Sequence, residues 1–427
     1  MACATGARDE AITAGARGRE GAGVKYVVVG ASAAGLSALQ AIRELDPHGD
    51  VTVVDEETRP AYSRVLLTHY IAGTVEDRDL FLVEEEFYRK CGVRALLGVR
   101  ATGLDPDGRQ VDLTDGRVLR YDRLLVATGA RAVVPGWSAP GAGGDRGGTG
   151  ETGVTGLRTR DDAVRIRRAA LAGHSVVIVG GGPVGVKLAC ALRELGVTPT
   201  LLVGSPRILS QVADREASLI LERHLVRCGV RVRCGVEVSE VIRGPLGTEG
   251  VVLSDGSVLP GRLVVVCKGV EPRTELVRGH VAVRRGVLVS GGMQTSVPEI
   301  YAAGDVAECP DIWGEGTRVS AIWPHASRQG KVAGTNMAGG RDLFPGVLPR
   351  NAMDVLGTPF VSMGVLDAPA EGGWRSVSRR RGDSYLRLVI RGDSVVGAVL
   401  VGCVRMAGPI QAAIRRGGRG WEELVAP

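Results

Sequence analysis

Aromatic side chains are scarce in this chain: Phe, Tyr and Trp together make up 4% of its 427 residues. A surface that stacks on nucleobases needs rings, so the shortage argues against nucleic-acid binding of that kind. Long apolar runs are missing too, and nothing approaches the roughly 18 residues that a membrane-spanning helix requires. No C-x-x-C pair occurs among the eight cysteines (Cys3, Cys91, Cys190, Cys228, Cys234, Cys267, Cys309 and Cys403). That removes the grounds for a cluster-binding or thioredoxin-like motif. No ligand pattern for a metal is visible. Charge of one sign is not in strong excess: the net value is +6. Nearly all the positive charge is arginine, scattered apart from Arg379-Arg380-Arg381 and Arg415-Arg416, which read as solvated surface charge. The first 23 residues are small, polar and rich in glycine and alanine, without the apolar stretch of a secretion signal. They read as a disordered tail. With dispersed cysteines, the expectation is a reduced, cytoplasmic protein.

What the chain has in quantity is glycine, 63 residues of it. Two glycine-rich turns stand about 150 residues apart: Gly30-Ala31-Ser32-Ala33-Ala34-Gly35 and Gly180-Gly181-Gly182-Pro183-Val184-Gly185. Each follows a short β-branched run without charge (residues 26–29 and 175–179), the pattern of a central strand in a covered parallel sheet. Each also opens a helix-like stretch. In such a turn the first glycine allows the tight bend and the second lets backbone approach a pyrophosphate. The third lets helix and strand pack closely, and the phosphates sit at the positive helix end. Ser32 replaces the middle glycine of the first copy. One such turn in a glycine-rich chain is a weak signal, whereas two in strand-turn-helix context point to two dinucleotides with electrons passing between them.

The rest of the chain is organised around these turns. Residues 34–44 read as a helix and 51–54 as a strand, with Asp55 or Glu56 falling where an acid accepts hydrogen bonds from an adenosine ribose. Residues 80–129 read as a helix and short strands ending at Ala127-Thr128-Gly129. Residues 140–156 read as a linker. The strand-turn-helix-strand pattern then repeats over 157–285, and a further apolar strand over 300–303 leads into Gly304-Asp305. Beyond residue 344 the pattern alternates, with a hairpin of residues 385–390 and 395–401 joined by Arg391-Gly392-Asp393-Ser394. The expected fold is α/β, with two Rossmann-like dinucleotide-binding domains and a small C-terminal α+β domain. The boundaries are a tail over 1–23, an FAD domain over 24–145 and 290–344, an NAD(P) domain over 150–289, and an interface domain over 345–427.

These residues resemble the pyridine nucleotide-disulfide oxidoreductase class of FAD flavoproteins, a glutathione-reductase-like architecture, over nearly all the chain beyond the tail. The resemblance rests on both turns, on Ala127-Thr128-Gly129, and most specifically on Thr295-Ser296-Val297-Pro298-Glu299-Ile300-Tyr301-Ala302-Ala303-Gly304-Asp305. It implies that Asp305 binds the ribityl chain of FAD. Tyr62-Ser63-Arg64-Val65-Leu66-Leu67-Thr68-His69 is similar to the Y-x-R-x-x-L-S-K segment of the branch holding rubredoxin and ferredoxin reductases and the flavin part of NAD(P)H nitrite reductase. His69 stands where a lysine often reaches towards the flavin. FAD contacts implied in this way are Gly30, Ser32, Ala33, Ala34, Gly35, Asp55, Glu56, Arg64, Ala101, Thr128, Gly129, Gly304, Asp305 and Ala326. For NAD(P) they are Gly180, Gly182, Pro183, Val184, Gly185, Arg207 and Gly269.

The same resemblance implies that NAD(P)H delivers hydride to the flavin, which does the chemistry while the protein orients and tunes it. A helix over 327–337, preceded by Trp323-Pro324-His325-Ala326, would point at the flavin pyrimidine ring. Its dipole would favour a reduced, anionic ring. His69 and His325 are the side chains open to a direct role. There is no cysteine between Cys3 and Cys91, where thiol-dependent members keep their redox sulfur, so direct transfer to an external acceptor remains. After the strand over 200–203 the chain reads Val203-Gly204-Ser205-Pro206-Arg207. Without a carboxylate there, a 2′-phosphate is not repelled and Arg207 can pair with it, so NADPH is accepted as well as NADH. Lys187 stands where the class has a glutamate near the nicotinamide. The expected partner is a small redox carrier such as rubredoxin or ferredoxin, or an iron–sulfur subunit of a larger complex acting on 2-oxoacids, aldehydes or nitrite. A non-enzymatic alternative is an FAD-binding sensor without nicotinamide turnover. The class habit of dimerising through the C-terminal domain leaves oligomeric state open.

Overall fold

A computed structural model describes residues 23–133, 135–138, 153–245, 247–367 and 372–417. Apart from residue 23, the N-terminal tail lies outside the described residues, as do Cys3 and most of the linker over 140–156. Two five-stranded parallel sheets dominate the chain. The first runs Ile300–Ala302, Arg123–Val126, Lys25–Val29, Asp50–Asp55, Val93–Leu97 in spatial order. The second runs Gly153–Gly156, Leu263–Val266, Val176–Val179, Thr200–Val203, Arg231–Cys234. From the second position onward the two orders are the same. Their central strands Lys25–Val29, Val176–Val179 and Leu263–Val266 are valine-rich runs buried on both faces, with charge only at the exposed first residue Lys25. Each sheet carries an antiparallel three-stranded excursion: Ala101–Asp105, Gln110–Leu113, Val118–Arg120 in the first, and Val238–Gly244, Gly247–Leu253, Val258–Pro260 in the second.

The edge strand Gly153–Gly156 overturns part of the linker expectation. Val154 is buried against the second sheet, and the segment pairs in parallel with Leu263–Val266. Four residues flanked by glycine carry too little alternation to be recognised without the partner strand.

Helix Ala33–Leu45 lies against helix Trp323–Met337 with almost no side chain between them. A Cβ on Gly330 would overlap the Ala34 carbonyl oxygen, and one on Gly334 would overlap that of Ala38. The second of these helices begins four residues earlier than the sequence suggests. Pro324 sits in its first turn, where the missing N–H costs nothing.

The C-terminal region forms a five-stranded antiparallel sheet, ordered Arg350–Val355, Thr358–Gly364, Ser394–Val401, Ser384–Arg391, Trp374–Arg381. Helix Ala407–Arg415 buries Ile410 and Ile414 on it, beside Leu388, Ile390 and Leu400. The hairpin is longer than the alternation implied: Arg391 pairs with Ser394, leaving a two-residue Gly392-Asp393 turn. Buried Asp214 joins this sheet to the second half of the chain. Its Oδ1 accepts the backbone N–H of Ala217, capping helix Arg215–Arg227, while Oδ2 accepts from Tyr385 Oη at 2.7 Å and Arg387 at 3.2 Å. Among the described residues no helix is long and apolar enough to cross a membrane.

Candidate functional site

The first glycine turn forms one wall of a cavity of about 730 Å³. Gly30 has φ +110°, and a Cβ there would overlap the Ala127 carbonyl oxygen. Gly35 is held as closely, since its Cβ would fall on the carbonyl oxygen of Gly30. Ser32 caps helix Ala33–Leu45 without a side-chain hydrogen bond, and the first helical turn holds no acidic residue. The backbone N–H groups at that tip are thus left to an anionic ligand. Asp55 ends the second strand of the sheet. One of its oxygens accepts the Ala31 N–H at 2.6 Å and the other the Glu57 N–H at 2.9 Å. Burial pushes the Asp55 carboxyl up, against the pull of these two N–H groups and of Arg64.

Of the residues named for FAD, the structure brings Gly30, Ser32, Asp55, Glu56, Arg64, Ala101, Thr128 and Gly129 together on the cavity wall. Ala33, Ala34 and Gly35 lie buried in the helix behind the turn. Gly304 packs on that helix as well, since its Cβ would meet Ala34 Cβ at 3.1 Å and Ala326 Cβ at 3.7 Å. Asp305 is ion-paired with the wall residue Arg158.

Arg158 is a residue that sequence reasoning missed. It donates from Nε to the Ala130 carbonyl at 3.2 Å, and its own carbonyl accepts from Arg64 at 2.7 Å. Arg64 pairs in turn with Glu57, which accepts from Tyr62 Oη at 2.6 Å. Tyr62 Oη also accepts the Arg160 N–H at 3.0 Å. The tyrosine-arginine segment thereby ties the first sheet to the start of the second. Arg131 and Arg273, also missed, line the cavity and pair with Glu275 and Glu56 respectively. A signal for the Arg158 region was present in the sequence. Thr159 and Asp162 form a reciprocal capping box that fixes the start of helix Arg160–Leu171 and so the turn carrying Arg158. The arginine-rich wall and the free helix tip suit a diphosphate, while Asp55 suits sugar hydroxyls.

Neither histidine candidate lies on the cavity wall. His69 is exposed on helix Leu67–Ala72. His325 is buried, shares a 2.7 Å hydrogen bond between Nδ1 and Ser320 Oγ, and packs edge-on against Phe344 at 5.6 Å. Its Nε2 is buried without a partner. Burial, helped by the charges of Arg350 and Arg415, pushes the imidazole down to about 4. The native state therefore holds it neutral, and its stabilising contribution is whole above its ordinary pKa of 6.5 and drains away as pH falls towards about 4. In urea titrations at pH 7 and pH 5, wild type should lose more midpoint stability than His325→Leu. Equal losses in the two proteins would contradict that assignment.

The second turn repeats the first. Gly180 has φ +125° and a Cβ there would overlap the Cys267 carbonyl oxygen, while one on Gly185 would overlap that of Gly180. Gly182 caps helix Pro183–Glu194, Pro183 occupies its first turn, and no acidic side chain stands there. Val184 is exposed, and Gly269, with φ +91°, faces open space. Arg207 does not project as a free cation. Its Nη2 donates to the Ser210 carbonyl at 3.4 Å and its Nε is buried without a partner. Lys187 is half-buried on the same helix, and burial pulls its ammonium below the ordinary lysine range.

Comparison with known proteins agrees with this geometry. Residues 24–330 match the pyridine nucleotide-disulphide oxidoreductase family, and residues 349–418 match the rubredoxin NAD+ reductase C-terminal domain. The ferredoxin–NAD(+) reductase component of the biphenyl dioxygenase system of Paraburkholderia xenovorans is 31% identical, over 90% of this chain and 89% of the relative. Subunit epsilon of the NADH-dependent phenylglyoxylate dehydrogenase of Aromatoleum evansii is 30% identical, over 86% of each. Among solved structures, that of the covalent putidaredoxin reductase–putidaredoxin complex superposes with a TM-score of 0.83 at 25% identity, covering 93% of this chain and 94% of its counterpart.

Proposed function

This chain belongs to the pyridine nucleotide-disulphide oxidoreductase family, and from that membership we propose that it feeds electrons from NAD(P)H to a small iron–sulfur or rubredoxin-type carrier protein. It is an FAD-dependent NAD(P)H oxidoreductase. Bound FAD would accept a hydride and release its electrons one at a time, which a pyridine nucleotide alone cannot do. The chain's own residues supply binding and orientation. The tip of helix Ala33–Leu45 and Arg131, Arg158 and Arg273 would hold the FAD diphosphate, and Asp55 its adenosine ribose. Asp305, next to Ala34 and Ala326 through Gly304, would hold the ribityl chain, with Arg158 as its counter-charge. The tip of helix Pro183–Glu194 would hold the diphosphate of the nicotinamide coenzyme.

The observation carrying this reading is the repetition itself: two sheets matching in strand order from the second position onward, each sending a turn whose first and last glycines leave no room for a Cβ into a helix tip without a side-chain cap hydrogen bond. The test is anaerobic mixing of the holoprotein with NADH or NADPH, followed by oxidised ferredoxin, rubredoxin or quinone. The flavin band should bleach with coenzyme and return with a protein carrier. A band that returns only with quinone would count against the carrier assignment.

A second reading makes the chain the flavin subunit of a larger iron–sulfur oxidoreductase. It is favoured by the near full-length likeness to a dehydrogenase subunit. Purification from native cells separates the two, because a stoichiometric cluster-bearing partner belongs only to the second. A homodimer, if formed, uses a face other than the C-terminal sheet edge. Strand Trp374–Arg381 carries Arg379 and Arg381 there beside Arg380, which pairs with Glu216, and the remaining positive charge opposes edge-to-edge pairing. The described cysteines are all free, which supports a reducing compartment such as the cytoplasm.

A further inference from the structure

The two halves can be matched residue by residue through their backbone hydrogen bonds. Val29 pairs with Val54 and Gly30 N–H donates to the Val54 carbonyl at 2.8 Å. Val179 pairs with Leu202 and Gly180 N–H donates to the Leu202 carbonyl, also at 2.8 Å. The next residue on each second strand is Asp55 in one half and Val203 in the other. The match continues into the third strands, where Asp55 pairs with Leu97 and Val203 with Cys234. Val99 N–H donates to the Asp55 carbonyl at 2.9 Å, and Val236 N–H to the Val203 carbonyl at 3.2 Å. One residue further on stand Arg100 and Glu237. Across the crevice, Ala127 N–H donates to Val29 and Cys267 N–H to Val179, so Thr128 corresponds to Lys268.

Asp55, Arg100 and Thr128 all line the cavity of the first half. Their counterparts are a valine, a glutamate and a lysine. Val203 is buried, and its methyl group packs so near Gly181 that a Cβ there would lie 2.6 Å from it. The place of the ribose carboxylate has become apolar. Glu237, however, reaches back over the end of the second strand. Its carboxylate lies in the space that a Cβ at position 204 would take, a space that Gly204 leaves open. Lys268 holds that carboxylate in an ion pair.

We propose that Glu237, delivered from the third strand and held by Lys268, is the carboxylate that accepts the adenosine ribose hydroxyls of the coenzyme and makes this site select NADH over NADPH. The inference rests on NAD(P)H being the electron donor. It replaces the expectation of NADPH acceptance drawn from Val203-Gly204 alone, because the missing charge returns through space from residue 237. A 2′-phosphate entering beside it meets the Glu237 carboxylate, an acceptor with no proton to give, while Arg207 is folded onto its own loop.

The test compares wild type with Glu237→Gln, which keeps the shape and removes the charge. Flavin bleaching is followed with NADH and with NADPH. Binding of 5′-AMP and of adenosine 2′,5′-bisphosphate is measured separately by calorimetry. Wild type should favour NADH by about tenfold or more in kcat/KM, and Glu237→Gln should bring that ratio close to one, with a parallel gain for the bisphosphate ligand. Glu237 is half-exposed, so the variant should fold and stay yellow. A wild type that favours NADPH, or a ratio unmoved in Glu237→Gln, overturns the proposal. Failure of both coenzymes to bleach wild type would instead sink the donor assignment on which it stands.

Discussion

Gly35→Ala is expected to purify without flavin colour. The added methyl group would fall on the carbonyl oxygen of Gly30, a backbone atom that cannot rotate aside as the end of a side chain would. Helix Ala33–Leu45 cannot retreat on its other side either. Gly330 and Gly334 of helix Trp323–Met337 already press backbone against Ala34 and Ala38. Overpacking against movable side chains costs about 1–3 kcal/mol, and here every obstacle is backbone. Some of that strain must be relieved by tilting the helix, which moves the N–H groups at its tip off the diphosphate. A loss of about 100-fold in FAD affinity follows from about 2.7 kcal/mol of lost binding. The ratio of flavin to protein absorbance after gel filtration reads this directly, with thermal unfolding alongside. Gly408→Ala, whose Cβ would meet open space in helix Ala407–Arg415, should remain yellow and equally stable. Full flavin content in Gly35→Ala would mean that strand and helix can part without disturbing the site.

The parts legible in the sequence were those written in contiguous residues. A β-branched strand, glycines at fixed spacing and a helix are all local, so both turns and the Asp55 strand end could be read before folding. What could not be read depends on chain segments meeting across long separations. Arg158 reaches Asp305 across 147 positions, and Arg273 reaches Glu56 across 217, so neither pairing leaves a pattern in any window of sequence. Strand Gly153–Gly156 exists because Leu263–Val266 offers it an edge. His69 and His325 were named for position and chemical type. Each stood at a suggestive position, yet one faces solvent and the other is enclosed by Ser320 and Phe344. Histidine supplies a chemical possibility at any position, and only burial and neighbours decide whether it is used.

Gly185→Ala should keep its FAD and lose reduction by coenzyme, while Gly182→Ser should keep both. The usual account of such turns gives each glycine a duty, with the middle one sparing the diphosphate a side chain. Geometry in this chain separates the duties by cost. A Cβ on Gly185 would overlap the Gly180 carbonyl oxygen, repeating the Gly35 clash in the second half. At Gly182 a Cβ would meet nothing within 4 Å, and its φ of −76° suits any residue. The first half supplies the precedent, since Ser32 caps its helix at the matching position with φ −80°. A hydroxyl at 182 could even accept an N–H of the first turn when the site is empty. Flavin reduction by NADH should therefore fall about 100-fold in Gly185→Ala, the scale expected when a binding helix shifts by about 1 Å. In Gly182→Ser it should stay within about threefold, under about 1 kcal/mol. Anaerobic stopped-flow bleaching of both yellow variants provides the comparison. If Gly182→Ser loses as much as Gly185→Ala, the diphosphate comes closer to the second turn than to the first, and the two halves differ at the one place where their backbones are most alike.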